Sequence, residues 1–137
     1  MRRALAIDEA SYGPEHPNVA IRLNNLAQLL QATNRLAEAE PLMRRALAID
    51  EASYGPEHPN VAIRLNNLAT LLVATNRLAE AEPLMRKVLA IFLAFSRQGF
   101  EHPHLQAAFG NYISPLQAMG LSEDEINAMV QKLVASA

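Results

Sequence analysis

The apolar residues of this chain recur at the spacing of an α-helix. Between residues 19 and 30 they fall at i, i+4, i+7, i+8 and i+11, which places them on one stripe of a helix. The members of this stripe are Val19, Leu23, Leu26, Ala27 and Leu30. A second stripe follows it, made of Leu36, Ala39, Met43, Ala46 and Leu47. The pattern predicts two consecutive amphipathic helices, which we call helix A and helix B.

Turn residues mark the ends of these helices. Pro17 suits the first turn of helix A, where its missing N–H costs nothing, and Asn34 suits a left-handed position after the helix. Gly13 and Gly55, each followed by a proline, indicate where helix B ends. Pro41 lies inside the predicted helix B, so we expect either a bend at that point or a helix that begins later in the chain.

The helix pair is the unit of an internal repeat. Residues 43–84 repeat residues 1–42 with two changes, Thr70 in place of Gln28 and Val73 in place of Gln31, and a diverged third copy begins at Met85. A repeated helix hairpin predicts an all-α solenoid of about seven helices that starts in the middle of a repeat. We divide the chain into a half repeat with helix B only (1–17), two repeats (18–59 and 60–103) and a diverged C-terminal capping repeat (104–137).

The two ends of the array differ. Ser122 and Glu125 form a capping box, and the helix after them pairs an apolar stripe with a polar outer face, as expected of a terminal repeat. The stripe is Ile126, Met129, Val130 and Leu133, and the polar face is Glu123, Asp124, Asn127, Gln131 and Lys132. At the other end, the first helix B lacks a helix A, so its stripe with Leu5 and Ile7 is only partly covered. We expect either a longer array or a second copy that covers this face.

Composition narrows the functional classes. Half of the residues are apolar and the net charge is −2 with interleaved acids and bases, which argues against nucleic acid and membrane surfaces as partners. No cysteine is present, so thiolate chemistry and cysteine-based metal sites are excluded. No apolar run approaches the length of a membrane span and no signal sequence is recognisable. We therefore expect a soluble, cytoplasmic protein.

Catalytic motifs are missing from the sequence. It contains no phosphate-binding glycine loop and no nucleophile elbow, so we expect no enzyme activity and no cofactor. Four histidines, His16, His58, His102 and His104, flank prolines in the loops between repeats. A pair of them offers too few convergent ligands for a metal, and we favour helix capping or loop packing for all four. Glu40 precedes Arg44 by four residues, which is typical of a solvated helix face.

At these residues the chain resembles the tetratricopeptide repeat family, in particular its 42-residue kinesin-light-chain-like type. The motif residues are Leu26, Ala27, Leu30, Asn34, Ala39, Ala46 and Leu47, together with the strings EAEPLMRRALAI and GPEHPNVA. The resemblance implies a right-handed superhelix of helix hairpins and a protein-binding scaffold whose A helices line a concave groove. It weakens beyond Pro103, where Glu125 stands in place of the small residue of helix B.

The groove that the resemblance implies has candidate ligand contacts on its A helices. Asn25, Asn67 and Asn111 occupy matching positions, and the resemblance implies an asparagine ladder that binds peptide backbone. Alternatively, these side chains cap neighbouring helices or bond across the hairpin. The other candidates are Asn24, Gln28, Gln31, Asn66, Thr70, Val73 and Ser114. All ten residues are uncharged, so a clamp for a carboxylate terminus is disfavoured and we expect a neutral, extended protein or peptide ligand.

Three functions remain open at the level of sequence, and the third of them is the regulatory tail of a larger enzyme. The first is a scaffold that binds a peptide or protein in the groove, with the two positions that differ between copies lying on one helix face. The second is a structural or self-assembling array without a ligand of its own, which the near-identity of the copies suggests. Its oligomerisation would use the uncapped N-terminal helix.

Overall fold

The computed structural model of the 137-residue chain describes residues 2–13, 16–97 and 105–136. These residues form seven α-helices and no strand, as the sequence predicts. In chain order the helices are α1 (Arg2–Tyr12), α2 (Pro17–Ala32), α3 (Leu36–Tyr54), α4 (Pro59–Ala74), α5 (Leu78–Arg97), α6 (Leu105–Ala118) and α7 (Glu123–Ser136). Helices α2, α4 and α6 are the A helices, and α1, α3, α5 and α7 are the B helices.

Each helix packs against the next one in the chain, from α1 to α7. Helix α2 therefore lies between α1 of the preceding unit and α3 of its own unit, and α4 lies in the same way between α3 and α5. A linear succession of this kind, in which every unit contacts its neighbours, is an α-solenoid. The A helices follow one another along the solenoid, which brings equivalent residues of successive repeats side by side.

The ends of the A helices are fixed by local hydrogen bonds. His16 is the N-cap of α2, and its Nδ1 accepts the Asn18 backbone N–H at 3.1 Å. One repeat later the same atom of His58 accepts the Asn60 N–H at 3.0 Å, which satisfies a donor that the helix leaves unpaired. Asn34 has a φ of 62°, the left-handed conformation that the sequence predicts after helix A.

Helix α3 continues through Pro41, and α5 continues through Pro83. Of the two alternatives at Pro41, a helix B that begins later in the chain is wrong, because α3 starts at Leu36. Proline removes the N–H that would bond to the carbonyl of Ala37. Both Pro41 and Ala37 are exposed, so water can reach that carbonyl. Burial of the intervening Ala39 holds the first turn of the helix against α2.

The predicted apolar stripes form the core. All five residues of the helix A stripe are buried, and Leu23 has no exposed surface, which corresponds to about 2–3 kcal/mol of transfer free energy. In the helix B stripe, Ala39, Met43 and Ala46 are buried. Leu36 and Leu47 are partly buried and pack against the same core. The amphipathic pattern is thus confirmed in both helices.

The C-terminal helix closes the described array in the way that its sequence predicts. The Ser122 N–H donates to Glu125 Oε1 and the Glu125 N–H donates to Ser122 Oγ, each at 3.2 Å, which is a reciprocal capping box. Ile126 is 3% exposed and carries α7 onto the core. Glu125, the departure from the family motif, is exposed and acts in the cap instead of the hairpin interface. The polar residues of the outer face are exposed.

Candidate functional site

The candidate ligand contacts lie along one side of the three A helices. On α2, Asn24, Gln28 and Gln31 follow one another at intervals of four and three residues, so they share a helix face with Asn25. We call this side of α2, α4 and α6 the A-face. It comprises Asn24, Asn25, Gln28, Gln31, Asn66, Asn67, Thr70, Val73, Asn111 and Ser114. Gln28, Thr70 and Ser114 are exposed, and the remaining members are half-buried except for Asn24.

Asparagine side chains connect the A helices across the repeat boundaries. Asn67 Nδ2 donates to Asn24 Oδ1 at 3.0 Å, which joins α4 to α2. Asn111 Nδ2 donates to Asn66 Oδ1 at 3.0 Å, which joins α6 to α4 in the same way. Asn24 is only 6% exposed, so it presents almost no surface to a ligand. The structure therefore brings the asparagines together as inter-repeat pairs, each of which uses one amide hydrogen of Asn67 or Asn111.

The two positions that differ between the repeats both fall on the A-face. Thr70 replaces the exposed Gln28, and its hydroxyl donates to the Asn66 carbonyl at 2.8 Å. Val73 replaces Gln31, is half-buried and packs against the core. Helix α4 thus has a less polar A-face than α2, although the two helices are otherwise identical in sequence.

The arginines closest to the A-face in sequence are engaged elsewhere. Arg22 Nε contacts Asp8 Oδ2 at 2.7 Å, and Arg64 Nε contacts Asp50 Oδ2 at 2.8 Å. Each arginine therefore pairs with an aspartate of the preceding B helix. The second pair is buried, with the side chain of Asp50 only 3% exposed and that of Arg64 14% exposed. Arg22 and Arg64 are thus both engaged with carboxylates of the preceding B helices.

A cleft of mixed polarity that sequence reasoning missed lies one helical turn from Asn25 and Asn67. Ile21 and Ile63 lie one helical turn before Asn25 and Asn67, and they are 46% and 36% exposed. Tyr54, 42% exposed, stands beside them and stacks on the His58 ring with 4.8 Å between centroids. The cleft is lined by Pro17, Ile21, Asp50, Tyr54, Asn60, Ile63 and Arg64. The signal in the sequence is an isoleucine outside the apolar stripe at the same place in both repeats.

On helix α3, Glu40 forms an ion pair with Arg44 at 3.0 Å, as predicted. Glu40 also pairs with Arg77 of the next repeat. Burial disfavours the Glu40 carboxylate, but the hydrogen bonds from Arg77 and Arg44 outweigh it and lower the pKa of Glu40. The Arg77 hydrogen bond likewise lowers the pKa of Glu80. The carboxylates of Glu40 and Glu80 are therefore paired with arginines of the array, which is typical of a structural ion-pair network.

A buried phenol links the last two repeats. The Tyr112 hydroxyl donates to Glu82 Oε1 at 3.1 Å, and Tyr112 is 1% exposed. Burial, with the neighbouring Glu82 carboxylate, raises the pKa of Tyr112 to about 12. The phenol is thus a hydrogen-bond donor at every pH at which the protein is ordinarily handled.

Two of the four histidines have a structural role, because His16 and His58 are the N-caps of α2 and α4. His102 and His104 lie outside the described residues. Within residues 2–13, 16–97 and 105–136, no three histidine or acidic side chains come together in a way that could hold a metal ion. In the same part of the chain, no helix has both the length and the apolar character that crossing a bilayer requires.

Comparison with known proteins gives the family. The model of the tetratricopeptide repeat family matches residues 1–52 and 23–94, which together are more than half of the chain. No curated protein sequence matches significantly.

Solved structures of longer chains share the fold. A crystal structure of nearly identical TPR-like repeats from Podosopora anserina, described as a kinesin light chain, has a TM-score of 0.80 and 27% identity over 98% of this chain. A single-residue variant of that protein has a TM-score of 0.79 and 25% identity. In each case this chain spans 62% of the other. BtubC (BKLC) from P. vanneervenii has a TM-score of 0.79 and 25% identity. The match covers 96% of this chain and 52% of the BtubC chain. The chain belongs to the tetratricopeptide repeat family, and its repeats are of the kinesin-light-chain-like type.

Proposed function

We propose that the chain is a protein-interaction scaffold that binds a neutral, extended peptide segment of a partner along the A-face. The observation that carries this proposal is that an exposed, uncharged polar side chain recurs at the same place on three successive A helices. These side chains are Gln28, Thr70 and Ser114. Scaffolding through protein contacts is the general role of this repeat family.

The asparagine pairs leave donors and acceptors for such a ligand. A carboxamide has two N–H donors and an oxygen with two lone pairs. Asn67 and Asn111 each donate one N–H to the neighbouring A helix, which fixes the side chain and leaves a second N–H and the oxygen. A pre-oriented amide loses less conformational entropy when it binds a peptide group. Asn24 serves in this scheme as a positioning residue.

The charge pattern and the exposed isoleucines indicate the chemistry of the ligand. Arg22 and Arg64 are paired with aspartates, so an acidic peptide finds no free cation among the residues of the A-face. The exposed Ile21 and Ile63 offer an apolar surface one turn away from the asparagines. A peptide with uncharged polar residues and one apolar side chain fits both features, because a pocket for a side chain supplies the specificity that backbone contacts lack.

Selection from a peptide library, followed by calorimetric titration, tests this function. Thr70→Glu places a charge in the middle of the A-face and should weaken binding at least about tenfold, because desolvation of a carboxylate without a partner is costly. Gln131→Glu is the matched control, since it adds the same charge on the exposed face of α7 and should leave the affinity unchanged. Equal affinities of the two variants would refute binding along the A-face.

A second pair of variants separates the ligand contact from the helix contact. Asn67→Ala and Asn24→Ala both remove the same inter-repeat hydrogen bond. Only Asn67→Ala removes the amide that we propose for the ligand, so its affinity should be lower than that of Asn24→Ala. The reverse order would mean that Asn67 acts only within the array.

A self-assembling array is the alternative function, and one observation favours it. Ile7 on α1 is 56% exposed, an apolar side chain that a second copy would cover. Light scattering over a range of concentrations tests this alternative, because a dimer that forms through α1 should dissociate on dilution. A strict monomer at every concentration rules it out.

A further inference from the structure

A pocket between α5, α6 and α7 is lined by residues that the proposed function does not use. Its volume is about 310 Å³, at the lower end of the range for small-molecule sites. The lining residues are Arg86 of α5, Tyr112 of α6, and Met129, Lys132 and Leu133 of α7. None of them belongs to the A-face, so a ligand at this place would be separate from the peptide proposed for that face.

The sequence of α7 accounts for the space. In α3 and α5 a small residue near the start of the helix, Ala39 or Ala81, has no exposed surface and lets the helix approach its neighbour closely. Glu125 holds the corresponding place in α7 and is exposed, and Ile126 meets the core instead. An isoleucine keeps two helix axes farther apart than an alanine does. Helix α7 therefore packs less closely on α6 than α3 packs on α2, and a pocket remains.

A polar contact that links two earlier B helices is replaced at this pocket. Arg77, the residue before α5, pairs with Glu40 of α3. Leu121 stands 44 residues later, at the corresponding place before α7, and carries no charge. Glu82, the counterpart of Glu40 in α5, instead accepts the Tyr112 hydroxyl at 3.1 Å. The phenol thus takes the place of an inter-repeat arginine and forms one wall of the pocket.

The ion pair within α5 is looser than the equivalent pair in α3. Arg44 Nε donates to Glu40 Oε2 at 3.0 Å. In α5, Arg86 Nη2 and Glu82 Oε2 are 3.6 Å apart, which is too long for a hydrogen bond. A guanidinium has five N–H donors, and the Arg86 side chain is 50% exposed. Arg86 can therefore donate to an acceptor that enters the pocket.

The lining has the polarity of a site for an apolar acid. Its two charged residues, Arg86 and Lys132, are both cations, which complements a negative charge on the ligand. Glu82, next to Arg86, offsets one of them, so a single carboxylate fits better than two. Met129 and Leu133 supply apolar surface for the rest of the ligand. A peptide would have to bury several amide groups against this surface without partners, which is costly.

We infer that the pocket binds a free monocarboxylic acid with an apolar tail. The carboxylate lies between Arg86 and Lys132, and the tail packs on Met129 and Leu133. A cavity of about 310 Å³ holds roughly ten non-hydrogen atoms, at the ~30 Å³ that a water molecule occupies in the liquid. Octanoate has about that number of atoms and is therefore the probe.

An octanoate titration, followed by the methyl NMR signals, tests the pocket. The signals of Met129 and Leu133 should shift and saturate with a dissociation constant of roughly 1 mM or lower, as expected for a well-placed ligand of this size. Met43 and Leu47 hold the equivalent places in α3 and should not shift. Acetate lacks the tail and octan-1-ol lacks the charge, so each should bind at least about tenfold more weakly.

Variants of the lining show which residues carry the binding. Arg86→Gln should weaken octanoate binding at least about tenfold, because it removes a charge-assisted contact. Arg44→Gln is the matched control, since it removes the same cation one repeat earlier, and should leave the affinity unchanged. Leu133→Trp should occupy the cavity and abolish the Met129 shift without loss of the circular dichroism signal of the helices.

The exposed position of Arg86 keeps the test decisive if Leu133→Trp does not fold. Arg86→Gln should shift the thermal midpoint by less than about 2 °C, within the usual range for a surface substitution. Octanoate that binds Arg86→Gln as tightly as the original chain would overturn the inference. So would equal binding of octan-1-ol and octanoate, or the absence of a saturable shift at Met129 and Leu133. Tighter binding of a short acetylated peptide that ends in leucine would assign the pocket to a peptide terminus instead, and would equally overturn it.

Discussion

Two ion pairs of identical sequence but different burial allow the electrostatics of the repeat to be measured. Arg64→Met removes the cation from Asp50, whose side chain is 3% exposed, and so leaves a buried carboxylate without its partner. Removal of one member of a buried pair costs about 3–5 kcal/mol. The 14% exposure of Arg64 admits some solvent, so we expect about 2–4 kcal/mol of lost unfolding free energy. Arg22→Met breaks the exposed pair and should cost about 0–1 kcal/mol.

Urea denaturation followed by circular dichroism at 222 nm measures both changes. The midpoint should fall clearly for Arg64→Met and little for Arg22→Met, with similar slopes. A double variant, Asp50→Asn with Arg64→Met, should recover most of the loss, because the orphaned charge is gone. Similar losses for the two arginine variants would refute the assignment of the effect to burial, and failure of the double variant to recover would point to lost packing of the arginine stem.

Three further predictions concern the ion-pair network, the buried phenol and the C-terminal cap. Folding lowers the pKa of Glu40 below its ordinary value of 4.5, so the ion pairs of Glu40 stabilise the protein fully above pH 4.5. This stabilisation is lost as the pH falls through the pKa of the folded state. Glu40→Gln should therefore make the thermal midpoint less sensitive to acid below about pH 4.5. Because folding raises the pKa of Tyr112, the buried phenol stabilises the protein fully below pH 10, and this contribution is lost as the pH rises through about 12. An absorbance titration of Tyr112→Phe should lack the phenolate step near pH 12. Ser122→Ala should cost about 1 kcal/mol and speed amide exchange in the first turn of α7, whereas an unchanged exchange rate would contradict the capping role.

The local features of the fold were accessible from the sequence. The stripe from Val19 to Leu30, the left-handed Asn34 and the Ser122 capping box each depend on residues within one helix or turn, where spacing and side-chain chemistry decide the conformation. The exception was Pro41, whose effect on helix B depends on tertiary contacts. Burial of Ala39 and solvent access to Ala37 let the helix run through it.

The partners of the polar groups could not be predicted, because they depend on how neighbouring A helices are offset. Offsets of 42 and 44 residues between successive copies suggest that Asn25, Asn67 and Asn111 are equivalent and lie in a row. The bonds instead join residues 43 and 45 positions apart, Asn67 to Asn24 and Asn111 to Asn66. That offset is fixed only by the packing of α2 and α4 on α3, and of α4 and α6 on α5. The pairing of Glu40 with Arg77 crosses a repeat in the same way.

The most direct test of peptide binding on the A-face is an NMR titration that follows the side-chain NH₂ signals of asparagine and glutamine. When a library-selected peptide is added, the signals of Gln28, Asn67 and Asn111 should shift together and saturate with one affinity. Those of Asn127 and Gln131, on the exposed face of α7, should stay in place. Shifts confined to α7, or a bound peptide that leaves the signals of the A-face unchanged, would contradict the proposed function.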